Sequence, residues 1–585
     1  MKRIIYLLVV LVGISACEED FFEPKYNNDI DFLQAISDPD IVEGFLLKGY
    51  DALPKGQDNY GGFLDCATQN AVHNTASNKL NTTVSENWAS NNNPIDNWKK
   101  TYEAIQSVNR FITYGIRPVV ERTPDTLVFH KGDDEVNKKL RKRLEGEAHF
   151  LRGYYYFDLL KRFAGRNDAG ELLGVPLVTE LLDAGSLTAL ERTSFTVVLD
   201  TIIQDLKRAA TLLPEKYEGA DPYFGSGKNL GRATSVAANA LLSRVYLYAG
   251  SPLYELTNAT EMNEKAAAAA AAVIDVIGSD LPSVYVYAGA NAGYDAYFNE
   301  GGSSELLMHR LGGESNGIEG SDFPPSYGGK GRTNPSQNLV DAFPMANGYP
   351  IGHGSSTYDA ANPYAGRDPR LNMTILYDNA PLKGVGVQTR SGGKDFPGGT
   401  GGKATDANSS RTGYYLRKWL SDFVNLESSP ATKKFHYFTI VRKGEVFLNY
   451  AEAMNEAYGP EADPKGHGMT AVEAIGKVRD RAGITKTGSF DDYLESIKSD
   501  KDIVRGLIRN ERRLELCFEG HYFYDLRRWK EDLNVPVKGI VISNAGTEFT
   551  VKEIHTPNFA DHMYFGPMPF DEVTKSPSIE QNAGW

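Results

Sequence analysis

The fold is decided by the stretch Glu511-Arg512-Arg513-Leu514-Glu515-Leu516-Cys517-Phe518-Glu519-Gly520, which continues into Tyr524-Asp525-Leu526-Arg527-Arg528-Trp529. Residues three and four apart share one face of a helix, so Glu511 lies with Leu514 and Glu515 lies with Phe518. These charges are therefore expected beside the apolar core, and their alternating signs predict ion-paired helix packing. Paired carboxylates beside arginines also fit an acid–base site, but the helical spacing favours the structural interpretation.

Two motifs further upstream combine charge and apolar spacing in the same way. They are Arg442-Lys443-Gly444-Glu445-Val446-Phe447-Leu448-Asn449-Tyr450-Ala451-Glu452-Ala453 and Val478-Arg479-Asp480-Arg481-Ala482-Gly483-Ile484. Glu445 and Glu452 each lie within an apolar helix, and a buried charge needs a partner. Arginines such as Arg442, Arg479 and Arg481 are predicted to supply those partners.

The order of these motifs resembles that of the SusD/RagB family. The motif at 442–453 resembles the family's Arg-x-x-Glu helix, which ends in Tyr-Ala-Glu-Ala. The motif at 478–484 resembles its Val-Arg-x-Arg-Ala-Gly turn, and the stretch 511–520 resembles its Glu-Arg-Arg-x-Glu-Leu-x-Phe-Glu-Gly signature. Ala583 and Trp585 depart mildly from the family, which has Pro and Tyr at the matching positions of its C-terminal motif. Other segments that fit are Arg152-Gly153-Tyr154-Tyr155-Tyr156-Phe157, Val175-Pro176-Leu177-Val178, Gly231-Arg232-Ala233-Thr234, Tyr246-Leu247-Tyr248-Ala249-Gly250, Pro567-Met568-Pro569 and Gln581-Asn582-Ala583-Gly584-Trp585.

The resemblance covers nearly all of the mature chain and implies a mainly α-helical, SusD-like fold. In that fold, tetratricopeptide-like helix pairs carry a loop-rich ligand-binding face. Family members lie on the outer membrane over a TonB-dependent transporter of the SusC type and deliver oligosaccharides, or sometimes peptides, to it. The resemblance therefore implies a surface-exposed binding protein with a SusC-type partner.

The N-terminal residues have the pattern of a bacterial lipoprotein signal peptide. A basic pair, Lys2-Arg3, precedes the apolar run Ile4–Ile14, and two small residues then lead to Cys17. The apolar run is too short to span a membrane as a helix, whereas its flanks are typical of a secretion signal. Residues 1–16 are predicted to be removed, and acylated Cys17 is predicted to begin a membrane-anchored tether over 17–38. An ordinary signal peptide with a coincidental cysteine is the alternative.

The composition indicates a globular protein that does not bind nucleic acid. Hydrophobic residues make up 41% of the chain, enough for a sizeable core, and the formal net charge of −14 opposes contact with phosphate backbones. Cys66 and Cys517 are the cysteines that remain after Cys17. A disulfide between them stays open, but their apolar neighbours favour small, buried packing residues.

Helical periodicity and composition divide the mature chain into three regions of one globular unit. Helices dominate residues 39–277, a loop-rich region with many Gly, Asn, Ser and Tyr residues follows over 278–416, and helices return in the signature region 417–585. The loop-rich region is the predicted ligand face, because long loops on a helical frame often carry function. Apolar spacing predicts helices over about 98–112, 134–163, 195–213, 233–248, 264–277, 438–458, 470–481, 490–497 and 503–518.

The sequence predicts no catalytic, cofactor or metal-binding residues. It contains no His-Glu-x-x-His and no Gly-x-Ser-x-Gly, and the glycine-rich run Gly398–Ala404 lacks the spacing and the hydroxyl of a phosphate loop. The histidines show no spacing typical of metal ligands, including His436, His467, His521, His555 and His562.

Carbohydrate binding requires aromatic rings that cover the apolar face of a sugar and amides that hydrogen-bond adjacent hydroxyls. Two polar stretches meet this requirement. The candidate glycan-binding residues are Trp88, Asn74, Asn78 and Asn91 in the first stretch and Tyr294, Tyr297, Tyr327 and Arg332 in the second. The alternatives are that Trp88 packs in the core and that the asparagines form turns.

The signal peptide predicts a lipid-anchored protein, and the resemblance implies that it lies on the outer membrane, captures oligosaccharides and delivers them to a SusC-type TonB-dependent transporter. A peptide-binding or structural subunit of the same transporter complex is the main alternative. A surface glycoside hydrolase is disfavoured, because its two carboxylates would have to face a cleft and the acidic motifs found here lie beside the core.

Overall fold

The computed structural model describes residues 31–56, 61–84, 88–182, 190–281 and 303–585. The predicted lipidation site Cys17 and the ligand candidates Tyr294 and Tyr297 lie outside the described residues. Among the helices of the described ranges, none is both long and apolar enough to cross a membrane. Cys66 and Cys517 are both buried and free, which confirms them as small packing residues.

The described part of the chain is mainly α-helical, as predicted. Its helices are α1 (Phe32–Ser37), α2 (Pro39–Asp51), α3 (Lys79–Thr83), α4 (Trp98–Phe111), α5 (Asp134–Phe163), α6 (Phe195–Leu212), α7 (Ser226–Asn229), α8 (Ser235–Ala249), α9 (Ala259–Ile277), α10 (Gly317–Asp322), α11 (Gln337–Ala342), α12 (Arg370–Thr374), α13 (Lys443–Tyr458), α14 (Ala471–Ala482), α15 (Asp492–Ile497), α16 (Lys501–Glu515), α17 (Tyr522–Arg528) and α18 (Phe570–Lys575).

The long helices pack on one another in a continuous series. Helix α2 packs on α4, α4 on α5, α5 on α6, α6 on α8, α8 on α9, α9 on α13, and α13 on both α14 and α16. Each helix thus buries its apolar faces against its neighbours in the series, which is how stacked helix-pair repeats build a continuous core.

Helix α5 shows how the sequence specifies these elements. Asp133 caps its first turn by accepting hydrogen bonds from the backbone N–H groups of Glu135 and Val136, and Lys161 and Arg162 lie in its last turn. The apolar stripe predicted for this helix is buried throughout; its members are Leu140, Leu144, Ala148, Leu151, Tyr155 and Leu159. The predicted bounds of 134–163 are confirmed.

The strands of the described ranges are short and pair two by two in antiparallel fashion. The pairs are β1 (Ala71–His73) with β5 (Thr333–Pro335), β2 (Gly165–Arg166) with β3 (Leu172–Leu173), β4 (Leu306–Ser315) with β10 (Lys434–Arg442), β6 (Ile375–Leu376) with β9 (Tyr415–Leu416), β7 (Pro381–Leu382) with β8 (Val385–Gly386), and β11 (Val537–Ser543) with β12 (Glu548–His555).

Two predicted helix starts are wrong, each by five residues, and the first is that of α9, which was predicted over 264–277 and begins at Ala259. The helix predicted over 438–458 begins at Lys443, and the residues before it form strand β10. The segment Lys434–Arg442 is rich in aromatic and β-branched residues, which fit a pleated surface, and β4 supplies its partner. That partner lies in the loop-rich region 278–416, so the strand pair depends on a contact between distant parts of the chain.

The charged motifs form a buried ion-pair network in the core between α12, β10, α14 and α16. The network consists of Arg370, Arg442, Arg479, Arg481, Glu305, Glu511, Glu515 and Glu519, all almost completely buried. At its centre, Glu515 lies 2.8 Å from both Arg442 and Arg481 and 3.3 Å from Arg370. Glu305, just before β4, bridges Arg442 at 2.9 Å and Arg481 at 2.8 Å. The predicted ion-paired packing is confirmed, but the partners predicted for Glu445 and Glu452 are wrong. Glu445 pairs with Arg244 of α8, and Glu452 pairs with Arg512 and Arg528, because helices distant in sequence bring these arginines closer than Arg442, Arg479 or Arg481.

Removing the central carboxylate should destabilise the protein strongly. Glu515→Gln leaves buried arginine charge without full compensation, so we expect the free energy of unfolding to fall by about 3–5 kcal/mol in a urea titration. The matched control is Glu135→Gln, because Glu135 pairs with Lys138 at the surface with both side chains about 70% exposed. Equal effects of the two substitutions would contradict a stabilising role for the network.

Candidate functional site

A cleft of about 520 Å³ opens where the loops of the predicted ligand face meet the β11–β12 hairpin. This volume is typical of small-molecule pockets. The lining residues come from the turn after β1, from two segments of the loop region and from the hairpin; they are Asn74, Thr389, Asp395, Phe396, Pro397, Asp406, Ser409, Ser410, Arg411, Gly413, Ile540, Val541, Lys552, Glu553 and Ile554.

The β1–β5 ladder positions the inner wall of the cleft. His73 pairs with Thr333 at the end of this ladder, and the backbone N–H of Asn74 then donates to the carbonyl of Arg332 at 2.8 Å. The side chain of Arg332 returns to the same turn, where its Nη1 donates to Asn74 Oδ1 at 3.1 Å and to Thr75 Oγ1 at 2.8 Å. Asn74 and Arg332 are therefore neighbours, although they are distant in sequence.

The segment that carries Arg411 is fixed to the same turn. Asn74 Nδ2 donates to the carbonyl of Ala407 at 3.2 Å, and the backbone N–H of Arg411 donates to Asn334 Oδ1 at 3.0 Å. The Arg411 guanidinium reaches back across the ladder, and its Nη1 donates to the carbonyl of His73 at 3.2 Å. These bonds hold two arginines on either side of one short turn.

The outer wall is the β11–β12 hairpin, and Gly413 lets it approach closely. Gly413 has φ +85°, and a Cβ there would lie 2.5 Å from the carbonyl oxygen of Ile540. The next contact is a backbone hydrogen bond of 2.7 Å from the Ile540 N–H to the carbonyl of Thr412. A side chain at position 413 would push this wall away from the cleft.

An aromatic platform lies beside these polar groups. Phe396 and Pro397 line the cleft and are half-buried. They follow Asp395, whose carboxylate accepts backbone N–H bonds from Ser326 at 3.0 Å and from Gln388 at 3.1 Å. Because both oxygens of Asp395 accept these bonds, its carboxylate anchors the loop and holds the platform in place.

The electrostatic environment of the inner wall is positive. Burial, followed by the nearby Arg332, lowers the pKa of His73 to about 4, and Arg411 acts in the same direction. His73 is therefore neutral near pH 7, and its Nδ1 accepts a hydrogen bond of 3.1 Å from the backbone N–H of Thr75. The two arginines carry the positive charge at this turn.

The sequence candidates are distributed unevenly around the cleft. Asn74 lines it, and Arg332 contacts Asn74 directly. Tyr327 is adjacent, because it follows Ser326, which bonds Asp395, but its hydroxyl donates to the carbonyl of Leu382 at 2.9 Å. The remaining described candidates lie elsewhere: Asn78 caps helix α3, and Asn91 is exposed in a loop whose Ser90 carbonyl accepts a bond from Phe570.

Trp88 is a core residue, so its assignment as a sugar-stacking ring is corrected. Only 3% of its surface is exposed, and its ring packs against Phe523, Phe559 and Trp585 with centroid distances of 5.0–6.2 Å. Its Nε1 donates to Asn93 Oδ1 at 3.1 Å. Both faces of the indole are thus taken by protein, which confirms the alternative that Trp88 packs beneath the loop.

Sequence reasoning missed Phe396 and Arg411. The signal for Phe396 was present, because a lone Phe-Pro pair in a glycine-rich segment of the predicted ligand face has no helix or strand to pack in. Arg411 had no comparable signal, since its position depends on Asn334, more than seventy residues away in the chain.

The carboxylates of the cleft do not form a hydrolytic pair. Asp395 is held by backbone N–H groups, while Asp406 and Glu553 are exposed at the rim. A glycosidase needs one carboxylic acid kept protonated by its surroundings opposite a second carboxylate. In the part of the chain that the structure describes, no three His, Cys, Asp or Glu side chains cluster as a metal site requires.

A second cavity of about 270 Å³ lies between the helical layer and β10. Most of its charged lining residues already have ion-pair partners, either in the lining or behind it. Asp158 lies 2.9 Å from both Lys161 and Arg162, and Arg244 contacts Glu445. This cavity belongs to the ion-paired interior and offers a ligand little that is not already engaged.

The fold is a helical scaffold that carries a loop-built cleft, and family comparisons identify its class. A family model described as SusD family matches residues 291–585, and one described as starch-binding associating with outer membrane matches residues 20–247. The chain belongs to the SusD family.

Individual relatives support this assignment. A SusD-like protein of Formosa agariphila is 23% identical to this chain over 570 residues, covering 90% of each. A crystal structure of a SusD-like protein from Bacteroides fragilis has 25% identity and a TM-score of 0.72, covering 95% of this chain and 99% of that one. A laminarin-binding SusD-like protein has 22% identity and a TM-score of 0.59, covering 93% and 99%. The family thus includes carbohydrate-binding proteins.

Replacing Trp88 should affect stability far more than ligand binding. Trp88→Ala removes a buried indole from an aromatic cluster, so we expect the free energy of unfolding to fall by about 3–5 kcal/mol in a urea titration. The control is Phe435→Ala, because Phe435 is 44% exposed on β10 and should unfold nearly as the unmodified protein does. A Trp88→Ala protein of undiminished stability would overturn the core assignment.

Proposed function

We propose that this protein captures oligosaccharides in the cleft between the Asn74 turn and the β11–β12 hairpin and delivers them to a SusC-type TonB-dependent transporter. The observation that carries the proposal is the juxtaposition of Phe396 with Asn74 and Arg411 in one cleft of about 520 Å³. A sugar ring has an apolar face and a rim of hydroxyls, and this wall combines an aromatic surface with hydrogen-bonding groups.

The proposed action is binding without chemistry. The cleft supplies an aromatic platform and the guanidinium donors of Arg411, whereas its carboxylates are either anchored or exposed. Delivery to a transporter and the position on the cell surface rest on membership of the SusD family and on the family description that names the outer membrane. A peptide ligand is the alternative, and the binding experiment below distinguishes it.

The aromatic platform gives the most direct test. In affinity electrophoresis and calorimetry against a panel of polysaccharides, Phe396→Ala should weaken binding roughly 10- to 100-fold, since burying a phenyl ring is worth about 1.5–3 kcal/mol. The matched control is Phe435→Ala, which removes an exposed phenyl ring on β10 that does not line the cleft. Polysaccharide binding that Phe396→Ala leaves unchanged would move the site elsewhere. Peptide binding without glycan binding would replace the proposed ligand.

We also propose that acylated Cys17 anchors the protein to the outer membrane. Cys17→Ser removes the thiol that would carry the lipid, so the protein should move from the membrane fraction to the soluble fraction on cell fractionation and should no longer incorporate labelled palmitate. The neighbouring substitution Glu18→Gln is the control and should leave the protein in the membrane fraction. Retention of Cys17→Ser in the membrane fraction would contradict the lipid anchor.

A further inference from the structure

The arginines of the inner wall differ from the buried arginines of the scaffold. The side chain of Arg332 donates through Nη1 to Asn74 and Thr75, and that of Arg411 donates through Nη1 to the carbonyl of His73. All of these acceptors are uncharged. Within the described ranges neither guanidinium has a carboxylate partner, whereas each arginine of the buried ion-pair network has at least two.

The two guanidinium groups contact the same turn. Both hold residues of the His73–Thr75 turn, and Arg411 lines the cleft directly. The Nε and Nη2 groups of both arginines have no hydrogen-bond acceptor among the described residues. Arg411 lines the cleft, whereas Arg332 is next to it through its bonds to Asn74 and Thr75. A guanidinium presents its N–H groups in a planar fork that matches the two oxygens of a carboxylate or sulfate.

Half-burial makes an unpaired positive charge costly unless something compensates for it. Arg332 and Arg411 are both partly shielded from water, and burial lowers the pKa of Arg411 below its usual value. The low pKa of His73 also indicates uncompensated positive charge, because this turn disfavours an additional cation. An anion placed here would restore the balance.

The acidic residues of the cleft do not supply that anion. Asp395 is engaged by the backbone N–H groups of Ser326 and Gln388. Asp406 and Glu553 are exposed at the rim, and neither forms an ion pair with Arg332 or Arg411. In a protein with a net charge of −14, such a positive wall is not the average character of the surface.

We propose that the cleft is specific for acidic glycans, and that Arg332 and Arg411 bind a carboxylate or sulfate group of the sugar while Phe396 contacts its ring. This inference rests on the proposed function, because it assigns a charge class to the ligand of the same cleft. A neutral glycan is expected to bind more weakly than an acidic one, because a neutral glycan leaves the two guanidinium charges uncompensated.

The test compares probes that differ in charge. Calorimetry on the full mature protein would use polygalacturonate for carboxylates, carrageenan for sulfates, and laminarin as a neutral glycan. We expect at least one acidic probe to bind roughly 10-fold or more tightly than laminarin, and we expect its binding to weaken as salt rises from about 50 to about 500 mM. The acidic probe that binds shows which anionic group is recognised.

Substitutions then locate the charge. Arg332→Gln and Arg411→Gln keep hydrogen-bonding capacity but remove charge, and each should weaken binding of the acidic probe roughly 10-fold, a larger loss than the same substitution causes for laminarin. Arg117→Gln is the matched control for net charge, because Arg117 is half-exposed and pairs with Glu180. Urea titrations confirm that each variant folds, and the salt dependence of the unmodified protein tests the idea without any substitution.

The outcomes separate this inference from the proposed function. If laminarin binds as tightly as the acidic probes, without salt dependence, and Phe396→Ala abolishes binding, the cleft captures glycans but the charge assignment is wrong. If no glycan binds, both proposals fail. If acidic probes bind but Arg332→Gln and Arg411→Gln weaken that binding no more than Arg117→Gln does, the anionic group is bound elsewhere. The assignment to these two arginines is then overturned.

Discussion

The structure depends on the burial of charge in mutually compensating pairs. The carboxylate of Glu515 partly compensates the positive charge of three arginines. These arginines come from α12, the end of β10 and α14. A buried ion costs several kcal/mol to remove from water, and that cost is recovered only if partners meet it with good geometry. The network therefore requires segments that are far apart in the chain to meet at one place. This requirement allows one arrangement of those segments and excludes other compact arrangements. Apolar packing between the helices supplies most of the stabilisation, and the charges restrict how that packing can occur.

The same signature helix that holds the network also positions the cleft. Arg513 of α16 donates to Asn70 Oδ1 at 2.7 Å, immediately before β1 and the turn that carries Asn74. On the other side, buried Lys418 donates to the carbonyls of Glu515 and Cys517, and it follows β9, where Tyr415 donates to the carbonyl of Asp395. The inner wall and the aromatic platform of the cleft are thus connected to the ionic core through one or two contacts. The loops can be irregular in conformation because their ends are fixed by a rigid interior.

Local sequence predicted the helices well and the cleft only in part. Apolar spacing and caps act within a few residues, so α5 could be predicted with its bounds, and the charge spacing around Glu511 and Glu515 predicted their buried pairs. The end of strand β10, from Phe438 to Arg442, was predicted as helix because its partner β4 is more than a hundred residues away. For the same reason Trp88 could not be assigned to the core, since the rings that cover it belong to the C-terminal part of the chain. Composition indicated where loops dominate the chain, but not which of their side chains meet.

The β11–β12 hairpin has a consequence for how proteins of this architecture can diversify. Its strands pair only with each other within the described chain, and backbone bonds at Ile540 and Ile542 join it to the loops. Lys552 and Glu553 on β12 face the cleft and are exposed, so they contribute little to the core. Mutations at these positions can alter what the wall presents without a penalty in folding, while the backbone contacts keep the wall in register. The hairpin is thus a module in which recognition can evolve, or be engineered, independently of the scaffold.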